Sequence, residues 1–354
     1  MNINLLKSIF LLLFIHTFLF AQDQKTVTSY VDPTIGGVGL ILVPTRPTVH
    51  FPNSMVRVFP ARKDQLDDQI GFFPLTISSH RHEWLFGLMA FSGKADTSHW
   101  KKRFAYDKEK ITPYHYSVEL EETSDKIEFT PSAKSGYFRF HFGSEAHHLR
   151  LQILNKGQVN IDGKRNISGV EEFMGMKAYF YGELNTDIVD SRYSNNAEKK
   201  VMIAELDPKS RTVGFRYGVS FISIDQAKMN LQKEIPDWDF ETVKGKAEQI
   251  WEKALSKIIV EGGTEAQKRV FYTALYRAYE RMIDINEGGK YYSGFDHKIH
   301  ESKEPFFVDN WLWDTYLALE PLQTILVEWS SRTISPGKQC SLKGVLFQSF
   351  VRFF

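Results

Sequence analysis

The chain has 354 residues, 42% hydrophobic and 25% charged, the balance of a soluble globular protein of about two domains, and this excludes a disordered or fibrous chain. Lys plus Arg number 44 against 43 Asp plus Glu, so net charge gives no attraction to nucleic acid or to an anionic membrane surface. The single cysteine, Cys340, excludes an intrachain disulfide, and stability has to come from core burial.

Residues 1–21 read as a signal peptide. Lys7 supplies the positive start, and Ser8 to Phe20 is a mostly apolar stretch too short for a comfortable membrane span. Ala21 is a small residue at a cleavage point, before polar Gln22-Asp23-Gln24. An uncleaved anchor is the alternative. No cysteine follows the apolar run, which argues against a lipid anchor. The expectation is a mature protein that is periplasmic or secreted, with no membrane contact.

Residues 28–235 read as a β-sandwich domain. Apolar residues alternate with period two at Tyr116, Val118, Leu120, at Phe138, Phe140, Phe142, at Leu149, Leu151, Ile153, and most clearly from Val213 to Phe221. Turn formers such as Ser124-Asp125, Gly143-Ser144 and Asp162-Gly163 separate the runs. Many short strands at this spacing predict two antiparallel sheets face to face.

The period changes at Pro236-Asp-Trp-Asp239. Ala247, Ile250, Trp251, Ala254 and Leu255 fall on one helical face, which predicts a linker helix over 236–256. A short strand is expected over 257–261, ended by Gly262-Gly263. Thr264-x-x-Gln267 has the form of a capping box and opens a helix with the stripe Phe271, Leu275, Ala278, Met282. Another helix is expected from Asp314 to Leu326, with Pro321 kinking or ending it. Residues 257–327 thus read as the start of a helical domain.

The character shifts again in the tail, 328–354. Glu328 is the last acidic residue, Arg332, Lys338, Lys343 and Arg352 have no counter-charge, and the apolar residues follow no period. This reads as an aberrant tail produced by a frameshift or premature end. A short diverged variant is the alternative.

Chemistry concentrates in Asp309 to Tyr316, where three aromatic residues and two aspartates share eight positions. Trp313 offers a flat apolar face and Asp314 two acceptor oxygens, a pair that suits a sugar ring and its hydroxyls. The plainer reading is a core Trp and a helix-capping Asp.

The run Leu312-Trp-Asp-Thr-Tyr316 resembles the signature of glycoside hydrolase family 92, the exo-acting α-mannosidases. Val260-Glu-Gly-Gly-Thr264, Phe271-Tyr-Thr-Ala-Leu-Tyr-Arg277, Tyr292-Ser-Gly-Phe-Asp296 and Tyr30-Val-Asp-Pro-Thr-Ile-Gly36 are similar to that family in the same order, over roughly residues 28–326. The resemblance implies a β-sandwich N-terminal domain followed by an (α/α)6 barrel, here incomplete. It implies an inverting, calcium-dependent exo-α-mannosidase acting on a mannose-containing glycan. It places Trp313 and Asp314 in the subsite that grips the terminal mannose. It implies a Glu acid, an Asp base and calcium ligands in the later part of the barrel, beyond about residue 327. No Gly-Asn-Glu-Pro-like or Asp-Asp-Gly-Gln-like motif carries them here, so no residue of this chain is assigned as acid, base or metal ligand. A non-catalytic carbohydrate-binding module or a non-functional fragment is the alternative.

The family also brings an N-terminal loop to its active site. Gly36 to Arg46 is apolar here where a Gly- and His-rich loop is typical, which leaves its usual contacts open. His50, His80, His82 and Trp84 are further candidates. His80 and His82 lie two apart, and the plainer reading is one strand face without a third metal ligand. Lys63-Asp-Gln-Leu-Asp-Asp68 could attract calcium, but it lacks the glycine and terminal Glu of an EF-hand loop and reads as a solvated turn.

Overall fold

The computed structural model describes residues 25–39, 44–78, 84–195, 198–309 and 312–326. The predicted signal peptide, His80, His82, Cys340 and the tail lie outside these. Two antiparallel sheets dominate. The larger has nine strands, in the order Lys156–Asp162, Asn166–Phe173, Met176–Leu184, Thr212–Ser220, Ser135–His141, Lys126–Pro131, His115–Leu120, Phe104–Thr112, Gln69–Ile70. The smaller has five, in the order Ile188–Tyr193, Val201–Leu206, His147–Gln152, Trp84–Ser92, Phe73–Ile77.

The sheets pack face to face through the aromatic residues that alternate along their strands. Phe86 of the smaller sheet meets Phe180 of the larger at 4.8 Å between ring centroids, and Phe73 meets Phe138 at 5.8 Å. Phe129, Phe138 and Phe215 have no exposed surface. This is the expected β-sandwich.

Helix α1, Ile224–Glu234, covers the outer face of the larger sheet, and Ala227 and Leu231 join Tyr137, Tyr181 and Phe240 in a second core. It lies so close that a Cβ on Gly218 would stand 2.1 Å from the carbonyl oxygen of Ala227, so only glycine fits. Helix α1 falls inside the 28–235 stretch that the sequence predicts as β-sandwich, and the sequence does not announce it. The reason is its polar inner face. Gln226 and Asn230 are buried, and Asn230 donates to the carboxylate of Glu287 at 2.8 Å. Ser223, which caps the helix by accepting from the Gln226 amide, was the available signal.

Helix α2, Phe240–Leu255, is the expected amphipathic helix. Ala247, Trp251, Ala254 and Leu255 are buried, whereas Ile250 is 39% exposed. Helix α3, Glu265–Ala278, starts at the expected capping box of Thr264 and Gln267. Its buried face is shifted by one residue from the expected stripe: Tyr272, Leu275 and Tyr276 are inside, Phe271 is outside, and Met282 lies past the helix end. The tyrosines win because their hydroxyls find buried partners. Tyr276 donates to the carbonyl of Thr48, and Tyr272 donates to the carbonyl of Ile258 at 3.1 Å while accepting from the amide of Val260.

That last pair also corrects the strand expected over 257–261. The segment is irregular, because the Tyr272 hydroxyl satisfies the backbone groups that a neighbouring strand would have bonded. Small two-stranded pairings follow, one of them the hairpin Lys290–Ser293 with Lys298–Glu301. The final helix is broken in two, α4 Leu312–Thr315 and α5 Leu319–Leu326. Pro321 explains the break: its ring would clash with the carbonyl four residues back in a continuous helix, yet it is tolerated in the first turn of a new one.

The N-terminal segment binds the helical part to the sandwich. The amides of Val27 and Thr28 donate to Glu252 of α2, and the Asp32 amide donates to Thr273 of α3. Arg277 of α3 donates to the carbonyls of Pro33 and Ile35.

Candidate functional site

Trp313 and Asp314 sit on the single turn of α4. The Trp313 side chain is 81% exposed, which overturns the plain core reading for it. Asp314 is partly exposed, and Arg281 stands 3.8 Å away, too far for a direct hydrogen bond. An open aromatic face and a carboxylate with acceptor capacity therefore stand side by side.

The approach to α4 is held from the sandwich. Arg57, on the short strand Arg57–Val58, meets Asp309 at 3.2 Å, and both side chains are 1% exposed. Arg57 also donates to the Ile77 carbonyl. Asp309 has φ 63°, a left-handed conformation that a non-glycine residue holds only when its surroundings fix it. The buried ion pair supplies that constraint five residues before Asp314. Burial lowers the Arg57 pKa from its ordinary value, against the opposing pull of Asp309 and Glu280.

The segment carrying Arg281 is pinned from both sides. Asn53 donates through its backbone to Tyr279 and through its side chain to Met282, both carbonyls. Gln323 of α5 donates to the carbonyls of Ala278 and Arg281. Thr48 donates to Glu280 at 3.2 Å. Arg57, Asp309 and Arg281 were not singled out from sequence. Asp309 lay in the aromatic and acidic run already marked, but Arg57 had no local signal, since its partner is 252 residues away.

The other candidates resolve differently. His50 is fully buried and lies in the core between Trp251 and Tyr276, with ring centroids 5.2 and 4.8 Å away. Burial depresses its pKa to about 4, so it is a neutral packing residue and not a site residue. Trp84 is half-buried, with the Arg46 guanidinium 4.9 Å from its ring centre, so a protein cation already occupies that ring. In the Gly36–Arg46 loop, the Thr45 amide donates to the Gly36 carbonyl, while residues 40–43 lie outside the described residues.

The Lys63–Asp68 stretch is a turn stitched by its own acids. Asp64 accepts from the Leu66 amide, and Asp67 from the amides of Lys63 and Gln69 and from Arg103. Among the described residues, no three His, Cys, Asp or Glu side chains converge as a metal-binding set.

Two family profiles cover most of the chain. The "Glycosyl hydrolase family 92 N-terminal domain" matches residues 30–228, and the "Glycosyl hydrolase family 92 catalytic domain" matches residues 226–335. The chain belongs to glycoside hydrolase family 92. Its fold is similar to that of a family 92 inverting mannosidase of Bacteroides thetaiotaomicron, at 24% identity and a TM-score of 0.77, over 85% of this chain and 46% of that one. It is also similar to a family 92 α-mannosidase of the same organism in complex with mannoimidazole, at 22% identity and a TM-score of 0.74, over 84% of this chain and 46% of that one. A curated relative, an uncharacterized secreted glycosidase of Arthroderma benhamiae, is 39% identical over 109 residues, 29% of this chain and 13% of that protein. The chain thus spans less than half the length of these relatives. The family 92 sandwich and the opening of the family 92 helical domain are both present, and the junction between the two profiles falls within α1.

Proposed function

We propose that the chain carries the sugar-gripping part of an exo-α-mannosidase site, acting on terminal mannose of a mannose-containing glycan. Trp313 stacks on the C–H face of the sugar, and Asp314 accepts hydrogen bonds from ring hydroxyls. What supports this is one juxtaposition: an exposed indole and a carboxylate with spare acceptor capacity, a few residues after the buried Arg57–Asp309 pair.

Inversion at the anomeric carbon belongs to the same proposal. It needs an acid and a base about 6.5–9.5 Å apart, with a water between the base and the sugar. We assign neither role to a residue of this chain. Calcium dependence is likewise part of the family reading, and we assign no calcium ligand to a residue of this chain. We read the chain as a sandwich domain over 28–235, a linker helix over 236–256 and the start of the catalytic domain over 257–327. The secreted or periplasmic location follows from the predicted signal peptide and agrees with the name of the Arthroderma relative. Among the described residues no helix is long and apolar enough to cross a membrane.

The test is an assay of mannose release. The 354-residue chain is expected to bind mannose without releasing it, with or without calcium. A chain extended to the length of its relatives is expected to release mannose with inversion, and calcium chelation to abolish that release. Calcium-dependent release by the 354-residue chain itself would falsify the assignment of acid and base outside it.

A further inference from the structure

A cavity of about 390 Å³ opens on the sandwich, between the Arg62–Gly71 stretch, the start of the Trp84–Ser92 strand and the Lys101–Arg103 turn. Neither Trp313 nor Asp314 lines it. Part of its wall is aromatic: Phe72 and Trp84 meet edge to face, 5.7 Å between centroids. The rest is strongly cationic. Arg62, Lys63, Lys101, Arg103 and Arg150 line it against one carboxylate, Asp67.

That carboxylate is already occupied by Arg103 and by two backbone amides. Arg62 is likewise engaged, with Glu109 at 2.9 Å. Arg150 is different. It is 1% exposed, donates only to the carbonyls of His99, Lys102 and Gly71, and leaves its Nε without a partner. Burial with no acid beside it pulls its pKa down to about 10, so it stays charged. Carbonyl oxygens orient a guanidinium but do not neutralise it, and a buried cation without a counter-ion is costly. At the rim, Lys63 and Lys101 are exposed and make no ion pair among the described residues. Among the described residues, these three cations thus face one cavity without an ion-pair partner, the lining carboxylate Asp67 being held by Arg103.

We infer that this cavity binds an anionic hexose, one bearing phosphate, sulfate or carboxylate, with the sugar ring against Phe72 and the anion between Lys63 and Lys101 above Arg150. An apolar aromatic wall beside convergent charged donors is the lining that such a two-part ligand requires. The inference rests on the glycan reading only in taking the anion to be carried by a sugar. It adds charged residues of the glycan to what the protein recognises.

The experiment is a set of titrations of the full chain, followed by backbone amide chemical shifts. The probes are glucose 6-phosphate, glucose 6-sulfate, glucuronate, glucose and inorganic phosphate. At least one charged sugar is expected to bind about tenfold more tightly than glucose and than phosphate, with shifts at Phe72, Trp84 and Lys101. The double variant Lys63→Gln/Lys101→Gln, altered only at exposed positions, should weaken that binding about tenfold, the scale of losing a charge-assisted hydrogen bond. Added salt should weaken it as well. Asp314→Ala should leave it unchanged, which separates this cavity from the mannose site whatever the fate of that proposal. Three results overturn the inference: equal binding of glucose, equal binding of inorganic phosphate, or full affinity retained in the double variant.

Discussion

The sandwich and the last helices of this chain bury their apolar residues to different degrees. In the sandwich the aromatic residues interlock, and the buried acids are spent on backbone amides: Glu171 accepts from Phe86 and Leu154, and Asp125 from Ser92 and Gly143. In the helical part, Val270 is 60% exposed, Leu317 76% and Ile325 82%. Exposure of Trp313 therefore does not by itself mark a ligand site, because its apolar neighbours are exposed too. Asp314 beside it, and the buried ion pair behind it, make the distinction.

The contrast can be broken most directly in the core. Phe138→Ala should cost about 3–5 kcal/mol of stability, as for other buried Phe truncations. Trp313→Ala should stay within about 0.5 kcal/mol. Urea unfolding measures both, and comparable losses would mean that Trp313 is a packing residue after all.

The link between the two regions should respond nearly as strongly. Arg57→Met removes the ion-pair partner of the buried Asp309 carboxylate, and should cost about 3–5 kcal/mol. Adding Asp309→Leu should return part of that loss. A double-mutant cycle reads the coupling, and simple additivity would show that the pair does not act as a unit.

The third expectation concerns pH and His50. Its ordinary pKa of 6.5 falls to about 4 in the folded protein. Below pH 6.5 the unfolded chain takes up a proton that the folded chain refuses. Stability is therefore full above pH 6.5 and falls towards pH 4, by about 3 kcal/mol at most. Glu128 is held well below its ordinary 4.5 by His115, His141, Arg139 and Lys126, so its contribution is lost only at more acid pH. Unfolding free energies of His50→Gln should show no slope between pH 6.5 and 4 beyond that of the remaining groups; an unchanged slope would place the titration elsewhere.

The smallest effect is at the start of α3. Thr264→Ala removes the cap on the Gln267 amide and should cost about 1 kcal/mol, measurable by thermal unfolding. No loss would mean that water replaces the cap without penalty.

These regions also differ in how well the sequence announces them. Period-two alternation marks the strands at Phe138–Phe142 and Val213–Phe221 because each buries one row against the opposite sheet. The capping box at Thr264 is legible because it is local. The stripe of α3 is not, since Tyr272 and Tyr276 are buried through hydroxyl partners that lie far along the chain. Helix α1 hides for the same reason, its inner face being Gln226 and Asn230 bonded across the fold. At the candidate site, Trp313 and Asp314 stand out in sequence as an adjacent pair. Their support does not, because Arg57 and Asp309 become neighbours only when the sandwich and the helical part meet.

The central claim is that Trp313 and Asp314 grip a sugar while contributing little to the fold. The measurement is the affinity of the wild-type chain, Trp313→Ala and Asp314→Ala for mannose, with the unfolding free energy of each taken in the same buffer. The account predicts unchanged stability and an affinity loss of about tenfold or more for Asp314→Ala, the size of a hydrogen bond to a charged group, about 1.5–3 kcal/mol. Equal mannose affinity in all three proteins, or loss of affinity only in step with loss of stability, would contradict it.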